Sequence, residues 1–163
     1  MFFKLFINLK NILYFLITLN FLFSLKMING EEINHQIIFD KPAICDERDR
    51  CILLEIATNE NERRLGLMFR KELDQDKGML FDYGSPKYVN IWMLNTFIPL
   101  DIIFINNGII VKIVEGAKPC LNEPCELYNS FYPVNKVLEI NSGKSKKMHF
   151  SVGQKLYLRN FKN

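Results

Sequence analysis

A chain of 163 residues, 48% hydrophobic and 24% charged, has the length and composition of a globular protein with one domain and is too short for two domains of ordinary size. The net charge of +3 comes from residues 1–30, which hold three of the 21 Lys and Arg and none of the acids, so residues 31–163 balance 18 basic against 18 acidic side chains. A nucleic-acid-binding domain normally carries a surplus of Lys and Arg, so this balance argues against that class, and no nucleic-acid partner is expected.

Residues 1–30 form an apolar leader with basic residues and no acid. Lys4 and Lys10 precede an uncharged run of 15 residues that ends before Lys26. This run is shorter than the roughly 20 residues that span a bilayer as a helix, and it has the length of a signal-peptide core. Small residues suited to cleavage are scarce around Gly30. The leader is therefore predicted to be a signal peptide or an N-terminal membrane anchor, and membrane contact is expected only through it.

A polar, irregular stretch follows the leader. Residues 31–50 contain one short apolar cluster, at 37–39, which fits an edge strand, and the rest is predicted to be a linker. The single globular domain is predicted to span residues 51–163.

Four cysteines fall into two close pairs. Cys45 and Cys51 are six residues apart, and Cys120 and Cys125 are five apart. Behind an export signal, cysteines reach a compartment in which disulfides persist, so we expect the protein in the periplasm or on the extracytoplasmic face of a membrane. Three pairings are formally possible, and the short loops favour a bridge within each close pair. Both spacings are wider than the Cys-x2-Cys of most structural zinc sites, so no metal is expected.

The first half of the domain contains one helix between two strands. The apolar run 52–57 predicts a buried strand. Asn59 followed by Glu62 resembles a capping box, which predicts a short helix near 59–69. Beyond a turn region, the segment 79–83 fits a further strand.

The second half of the domain is predicted to be mostly strands. The segments 99–105 and 109–114 are rich in β-branched residues and flank an Asn-Asn-Gly turn, which predicts a hairpin. Strands at 136–140 and 155–159 are separated by a short element within 142–149. Because short turns join consecutive strands, we expect a β-dominated α+β domain with a largely antiparallel sheet or a partly open barrel, rather than βαβ crossovers.

Four motifs resemble a known family. They are Gly-Leu-Met-Phe-Arg at 66–70, Gly-Met-Leu-Phe at 78–81, Trp-Met-Leu-Asn-Thr at 92–96 and Pro-Leu-Asp at 99–101. In this order they are similar to the motifs of domain-of-unknown-function family one hundred and ninety-two, whose members are short and often exported, and the resemblance covers residues 52–159. It implies a β-rich fold with one short helix and no established activity.

Five polar or aromatic residues in these motifs form the candidate ligand-binding set: Arg70, Trp92, Asn95, Thr96 and Asp101. An indole offers a broad apolar surface, Asn and Thr orient polar ligands, and an Asp paired with an Arg supplies an acceptor beside donors. The alternative is structural, with Asn and Thr satisfying backbone groups at a bend and Asp101 forming an ion pair with Arg70 between helix and sheet.

Catalytic motifs are scarce in the sequence. The two histidines, His35 and His149, lie without a recognisable nucleophile motif, and no nucleotide-binding loop or zinc-protease helix is present. An enzyme would have to be a small hydrolase or lyase with Asp101 as a base and Arg70 to position an anion.

Met68, Met79 and Met93 suggest a different chemistry. Thioethers bind copper(I) as soft ligands, so a copper-handling protein is a further alternative, although methionine also packs well in irregular cores. No cofactor is expected. The hypothesis preferred from sequence is a non-enzymatic module of the cell envelope that binds a small ligand or a partner protein through residues 92–101.

Overall fold

The computed structural model describes residues 41–159 of the chain. The predicted leader, the apolar cluster at 37–39 and most of the predicted linker lie outside these residues. Within the described part, no helix is long and apolar enough to cross a bilayer.

Residues 41–159 form nine strands and two short helices, and most of these strands join one sheet. The sheet has seven strands in the order β6-β5-β8-β3-β2-β1-β9, curls into a half-barrel, and is accompanied by a separate pair, β4-β7. This confirms the predicted β-dominated α+β class. The elements are β1 Ala43–Cys45, β2 Cys51–Ala57, α1 Glu60–Leu65, β3 Lys77–Lys87, β4 Asn90–Trp92, β5 Leu100–Asn106, β6 Ile109–Ala117, β7 Leu127–Asn129, β8 Val134–Asn141, α2 Lys144–Lys147 and β9 Tyr157–Arg159.

One pair of strands contradicts the prediction that short turns join all consecutive strands. β2 and β3 are parallel, and the chain between them contains α1, so this part of the sheet is a βαβ crossover. Parallel neighbours require such a crossover, because the chain must return to the starting edge of the sheet. All other named strand pairs in the described residues are antiparallel.

The capping box predicted for α1 is present. The Asn59 side chain accepts a hydrogen bond from the Glu62 backbone N–H at 2.9 Å, and the Glu62 carboxylate accepts one from the Asn59 N–H at 3.2 Å. The helix is shorter than predicted, because Gly66 follows it with a φ of 47°, a conformation that glycine adopts at little cost.

The sheet begins earlier in the chain than predicted. β1 lies in the range assigned to the linker, and it pairs with β2 on one side and β9 on the other. A disulfide between Cys45 and Cys51 joins β1 to β2, and a second one links Cys120 and Cys125, so both predicted pairings are confirmed.

Both faces of the sheet are buried, which explains the continuous apolar run of β5. Alternate residues of this strand point to opposite faces, so Ile102 and Phe104 enter one core while Ile103 and Ile105 enter the other. The core on the side of α1 and the β4-β7 pair is called the front core, and its members include Ala57, Leu67, Met79, Phe81, Ile91, Met93, Ile102, Phe104 and Val137. The back core contains Ile44, Ile52, Leu54, Leu80, Ile103, Ile105, Leu138, Ile140, Met148, Phe150 and Leu156 among others.

Candidate ligand-binding cleft

The structure separates two residues that were predicted to act together. Asp101 is fully buried, and its carboxylate accepts hydrogen bonds from the Gly116 N–H at 2.9 Å, the Ser145 N–H at 3.0 Å and the Ser145 hydroxyl at 2.6 Å. Arg70 instead forms a bidentate pair with Glu55, with distances of 2.6 and 2.7 Å. The predicted Asp101–Arg70 pair does not form, so neither the enzyme hypothesis nor the structural ion pair based on it is supported.

Asp101 and Arg70 each have a structural role with a different partner. Asp101, at the start of β5, ties that strand to the beginning of α2 through Ser145 and to β6 through Gly116. The Arg70 guanidinium donates to Glu55 and lowers the pKa of that carboxyl. Both interactions join segments that are distant in sequence, and each leaves its carboxylate with a partner.

Asn95 is also explained by the backbone. Its φ of 54° lies in the left-handed region, which Asn tolerates better than most residues. In this conformation its N–H donates to the Cys120 carbonyl at 2.8 Å, and its carbonyl accepts from the Phe69 N–H at 2.8 Å. Asn95 therefore connects the segment after α1 to the disulfide loop.

Trp92 and Thr96, by contrast, both line an open cleft of about 500 Å³. Volumes of this order are typical of sites for small molecules. Trp92 is 41% exposed, whereas Thr96 is buried. The walls are formed by α1 with the turn after it, β3, β4 and β8, through Glu60, Arg63, Arg64, Leu65, Gly66, Leu67, Met68, Phe81, Tyr83, Lys87, Asn90, Ile91, Trp92, Thr96 and Glu139.

Glu139 is the most unusual residue of the cleft. It lies in the middle of β8, opposite Met79 of β3 and Ile102 of β5, which are both members of the front core. The residue is only 4% exposed, and within residues 41–159 its carboxylate has no hydrogen-bond or ion-pair partner. Burial without such a partner raises the pKa of Glu139 to about 8, so the carboxyl is largely protonated at neutral pH.

Positive charges surround the cleft. Arg63 lies with its guanidinium carbon 5.0 Å from the centre of the Tyr83 ring and donates to the Thr58 and Asp82 carbonyls. Lys87 lies over the same ring, with its Nζ 5.2 Å from the centre. Arg64 and Lys87 form no ion pair within the described residues. Two cations of the lining are thus available to an anionic ligand.

Tyr83 contacts Arg63 and Lys87 as well as the interior. Its side chain packs against the front core, and burial raises the pKa of the phenol to about 12. The phenol therefore stays neutral over the ordinary pH range. Its hydroxyl group can donate or accept a hydrogen bond, and its ring already faces Arg63 and Lys87.

The second disulfide supports the wall that carries Trp92 and Thr96. The Cys120 N–H donates to the Met93 carbonyl at 3.2 Å, and the Cys120 carbonyl accepts from the Asn95 N–H. The bridge to Cys125 closes the loop that begins at this point. Segment 93–96 is thus held between the front core and a covalently closed loop.

The three methionines proposed for copper are divided between two environments. Met79 and Met93 are buried members of the front core, and Met68 lies in the cleft wall. Among residues 41–159 there is also no group of three or more His, Cys, Asp or Glu side chains placed to hold a metal ion. Core packing accounts for the first two methionines.

Reasoning from the sequence missed Glu139 and the basic wall of the cleft. The predicted strand 136–140 contained a single acid among Val137, Leu138 and Ile140. A lone acid in a strand with both faces apolar is a signal of a buried carboxyl, and it was available before the structure. Arg63 and Arg64 lay in the predicted helix, but nothing in the sequence placed them in the same cleft as Glu139.

Fold and site together define a small, disulfide-bonded, β-dominated domain with a ligand-sized cleft that contains a buried carboxyl group. The motifs that resembled a family point in the same direction. The chain belongs to the DUF192 family, described as an uncharacterized ACR, whose profile it matches over residues 43–158.

Two crystal structures are similar to the chain. A candidate transcription regulator from Sinorhizobium meliloti 1021 has 36% sequence identity and a TM-score of 0.65, with 72% of this chain and 91% of that chain covered. A protein of unknown function from Novosphingobium aromaticivorans DSM 12444 has 31% identity and a TM-score of 0.64, with 71% and 82% covered. No curated protein matches the chain.

Proposed function

We propose that this chain is a non-enzymatic module of the cell envelope that binds a small anionic molecule in the cleft lined by Trp92 and Glu139. The observation that carries the proposal is the Glu139 carboxyl, which is buried, has no partner in the described residues and lines an open cleft. Its oxygen atoms reach the cleft, since neither is among the fully buried, unpartnered side-chain atoms of the described residues, and carboxyl groups perturbed by burial in a cleft are common at functional sites.

The charges of the cleft support an anion rather than a cation. Arg63, Arg64 and Lys87 line it together with one exposed acid, Glu60. A protonated Glu139 adds no negative charge. Coulomb attraction therefore favours an anionic group near Arg64 and Lys87, and the half-exposed indole of Trp92 offers an apolar surface for the rest of the ligand.

A position outside the cytoplasm agrees with the cysteines and the leader. Two disulfides are consistent with an oxidising compartment, and the apolar leader supplies a route to it. When intact cells are treated with an alkylating reagent before lysis, we expect no cysteine of the protein to react. All four should react once a reductant has been added. Free thiols would contradict this location.

Trp92 provides a direct assay for binding, because it is the single tryptophan of the sequence. The full-length chain, purified from the envelope fraction, is titrated with panels of small carboxylates, phosphates and amines while Trp92 emission and the melting temperature are recorded. We expect at least one anion to change the emission and raise the melting temperature, because a ligand bound only by the native state stabilises it.

The control for this screen uses two matched substitutions. Arg64→Gln removes a cation from the cleft, whereas Arg48→Gln removes an exposed arginine from the turn between β1 and β2, outside the lining. Anion binding should weaken in the first variant and stay unchanged in the second. A response only to amines, or an equal loss in both variants, would refute the anionic site.

A further inference from the structure

The lining of the cleft contains two chemically different kinds of polar group, which restricts the ligand further. Arg64 and Lys87 supply positive charge, while Glu139 lies among front-core residues where burial is the main influence on its carboxyl group. An anion placed against Glu139 would lose its hydration among front-core side chains, at a large cost. The charged group of the ligand therefore belongs with the cations, and the group that meets Glu139 must be neutral.

We propose that the ligand is a small amphipathic carboxylate whose inner end carries a neutral oxygen acceptor, a carbonyl or hydroxyl, and that the carboxylic-acid form of Glu139 donates its proton as a hydrogen bond to this oxygen. The inference rests on the proposed function and adds the chemistry of the inner end. No bond is formed or broken, and the proton stays on Glu139 throughout.

A carboxylic acid is suited to this role because it can donate, whereas a carboxylate can only accept. The raised pKa of about 8 keeps the donor form populated at neutral pH without any partner. An acceptor oxygen of the ligand would supply the missing partner of the buried hydroxyl. A ligand of the same shape without this oxygen would leave the group unsatisfied, which is the basis of strong discrimination in polar sites.

The titratable groups around Glu139 decide whether a change of ligand affinity with pH can be assigned to its carboxyl group. From β3 it is faced by the front-core side chains of Met79 and Phe81 and by Tyr83, whose pKa is raised to about 12 by burial, and from β5 it is faced by Ile102. The same cleft is also lined by the charged groups Glu60, Arg63, Arg64 and Lys87. Lys136 and Asp82 form an ion pair with each other. Glu60 is exposed and is tested by its own substitution.

The experiment compares matched pairs of ligands on the full-length protein. Oxo carboxylates of increasing chain length are titrated beside the simple fatty acids of the same length, with Trp92 emission as the readout, at pH 6, 7, 8 and 9. We expect an oxo acid to bind at least about tenfold more tightly than its matched fatty acid at pH 6. Above pH 8 its affinity should fall by up to about tenfold per pH unit, because only protonated Glu139 donates.

Three variants separate the inference from a merely structural role of Glu139. Glu139→Gln keeps a neutral donor, so it should retain the preference for the oxo acid and lose the pH dependence. Glu139→Leu removes the donor, so the two ligands of a pair should bind alike. Glu60→Gln, an acid-to-amide change elsewhere in the cleft, should leave the shape of the pH profile unaltered.

The outcomes distinguish this inference from the proposed function. If no carboxylate binds at any pH, the proposed function is wrong and the inference falls with it. If fatty acids bind as tightly as oxo acids in the wild type, with a flat pH profile, the anionic site stands and the role of Glu139 is refuted. Tighter binding above pH 8 would likewise refute it, because the ionised carboxylate would then be the binding form.

Discussion

Replacing Glu139 with glutamine should change the pH dependence of stability in the absence of any ligand. In the unfolded chain the carboxyl loses its proton near its ordinary pKa of 4.5, whereas in the folded chain it holds the proton up to about pH 8. Between these values the native state binds more protons than the unfolded state, so stability falls as pH rises, by about 1.4 kcal/mol per pH unit. Over the interval of roughly 3.5 pH units, the wild type loses about 5 kcal/mol relative to Glu139→Gln.

A loss of this size is comparable with the whole stability of a small domain, which is commonly about 5 to 15 kcal/mol. Urea unfolding at pH 4.5, 6, 7.5 and 9, followed by Trp92 emission and by circular dichroism, measures the free energy of unfolding of both proteins. The difference between them should grow in favour of Glu139→Gln up to about pH 8 and then stay constant. Parallel curves for the two proteins would refute the burial argument. Glu115→Gln, in which an exposed acid is changed, serves as the control and should follow the wild type.

Other substitutions test the structural roles assigned above. Asp101→Asn should lower the free energy of unfolding by about 3 kcal/mol in urea titrations, because an amide nitrogen then faces buried donors; a loss below 1 kcal/mol would contradict this role. Arg70→Gln should lower the free energy of unfolding by less than about 1 kcal/mol in the same assay, because its ion pair with Glu55 is partly exposed. A larger loss would contradict the classification of this pair as a weak surface interaction. The double change of Cys120 and Cys125 to serine should cost about 2 kcal/mol by calorimetry and shift Trp92 emission to the red; an unchanged spectrum would show that the loop does not support the cleft wall.

Local signals in the sequence were sufficient for much of the fold. The capping box of Asn59 and Glu62, the Asn-Asn-Gly hairpin and both disulfides act over a few residues, and the structure contains all of them. The parallel pairing of β2 with β3 was missed because the intervening α1 is a single short helix. Patterning along the chain does not tell whether such a helix leads to a turn or to a crossover.

The site depends on contacts that no local pattern contains. Asp101 and Arg70 belong to the fourth and the first of the family motifs, and the fold gives each a different partner, Ser145 and Glu55, from other parts of the chain. Glu139 reaches the cleft because β8 lies between β3 and β5, a strand order that the sequence did not predict. Only Trp92 and Thr96 of the five predicted site residues line the cleft.

The Cys45–Cys51 bridge has a mechanical consequence. β1 is the first described strand of the sheet in chain order and has only three residues, so its backbone groups give at most six hydrogen bonds to β2 and β9 together. A pull from the N-terminal side would act on these bonds. Because the bridge ties the end of β1 to the start of β2, a load on the polypeptide passes through a covalent link into a seven-residue strand at the interior of the sheet. A pull from the N-terminal side would thus reach β2 through a covalent bond and not through the hydrogen bonds of β1 alone.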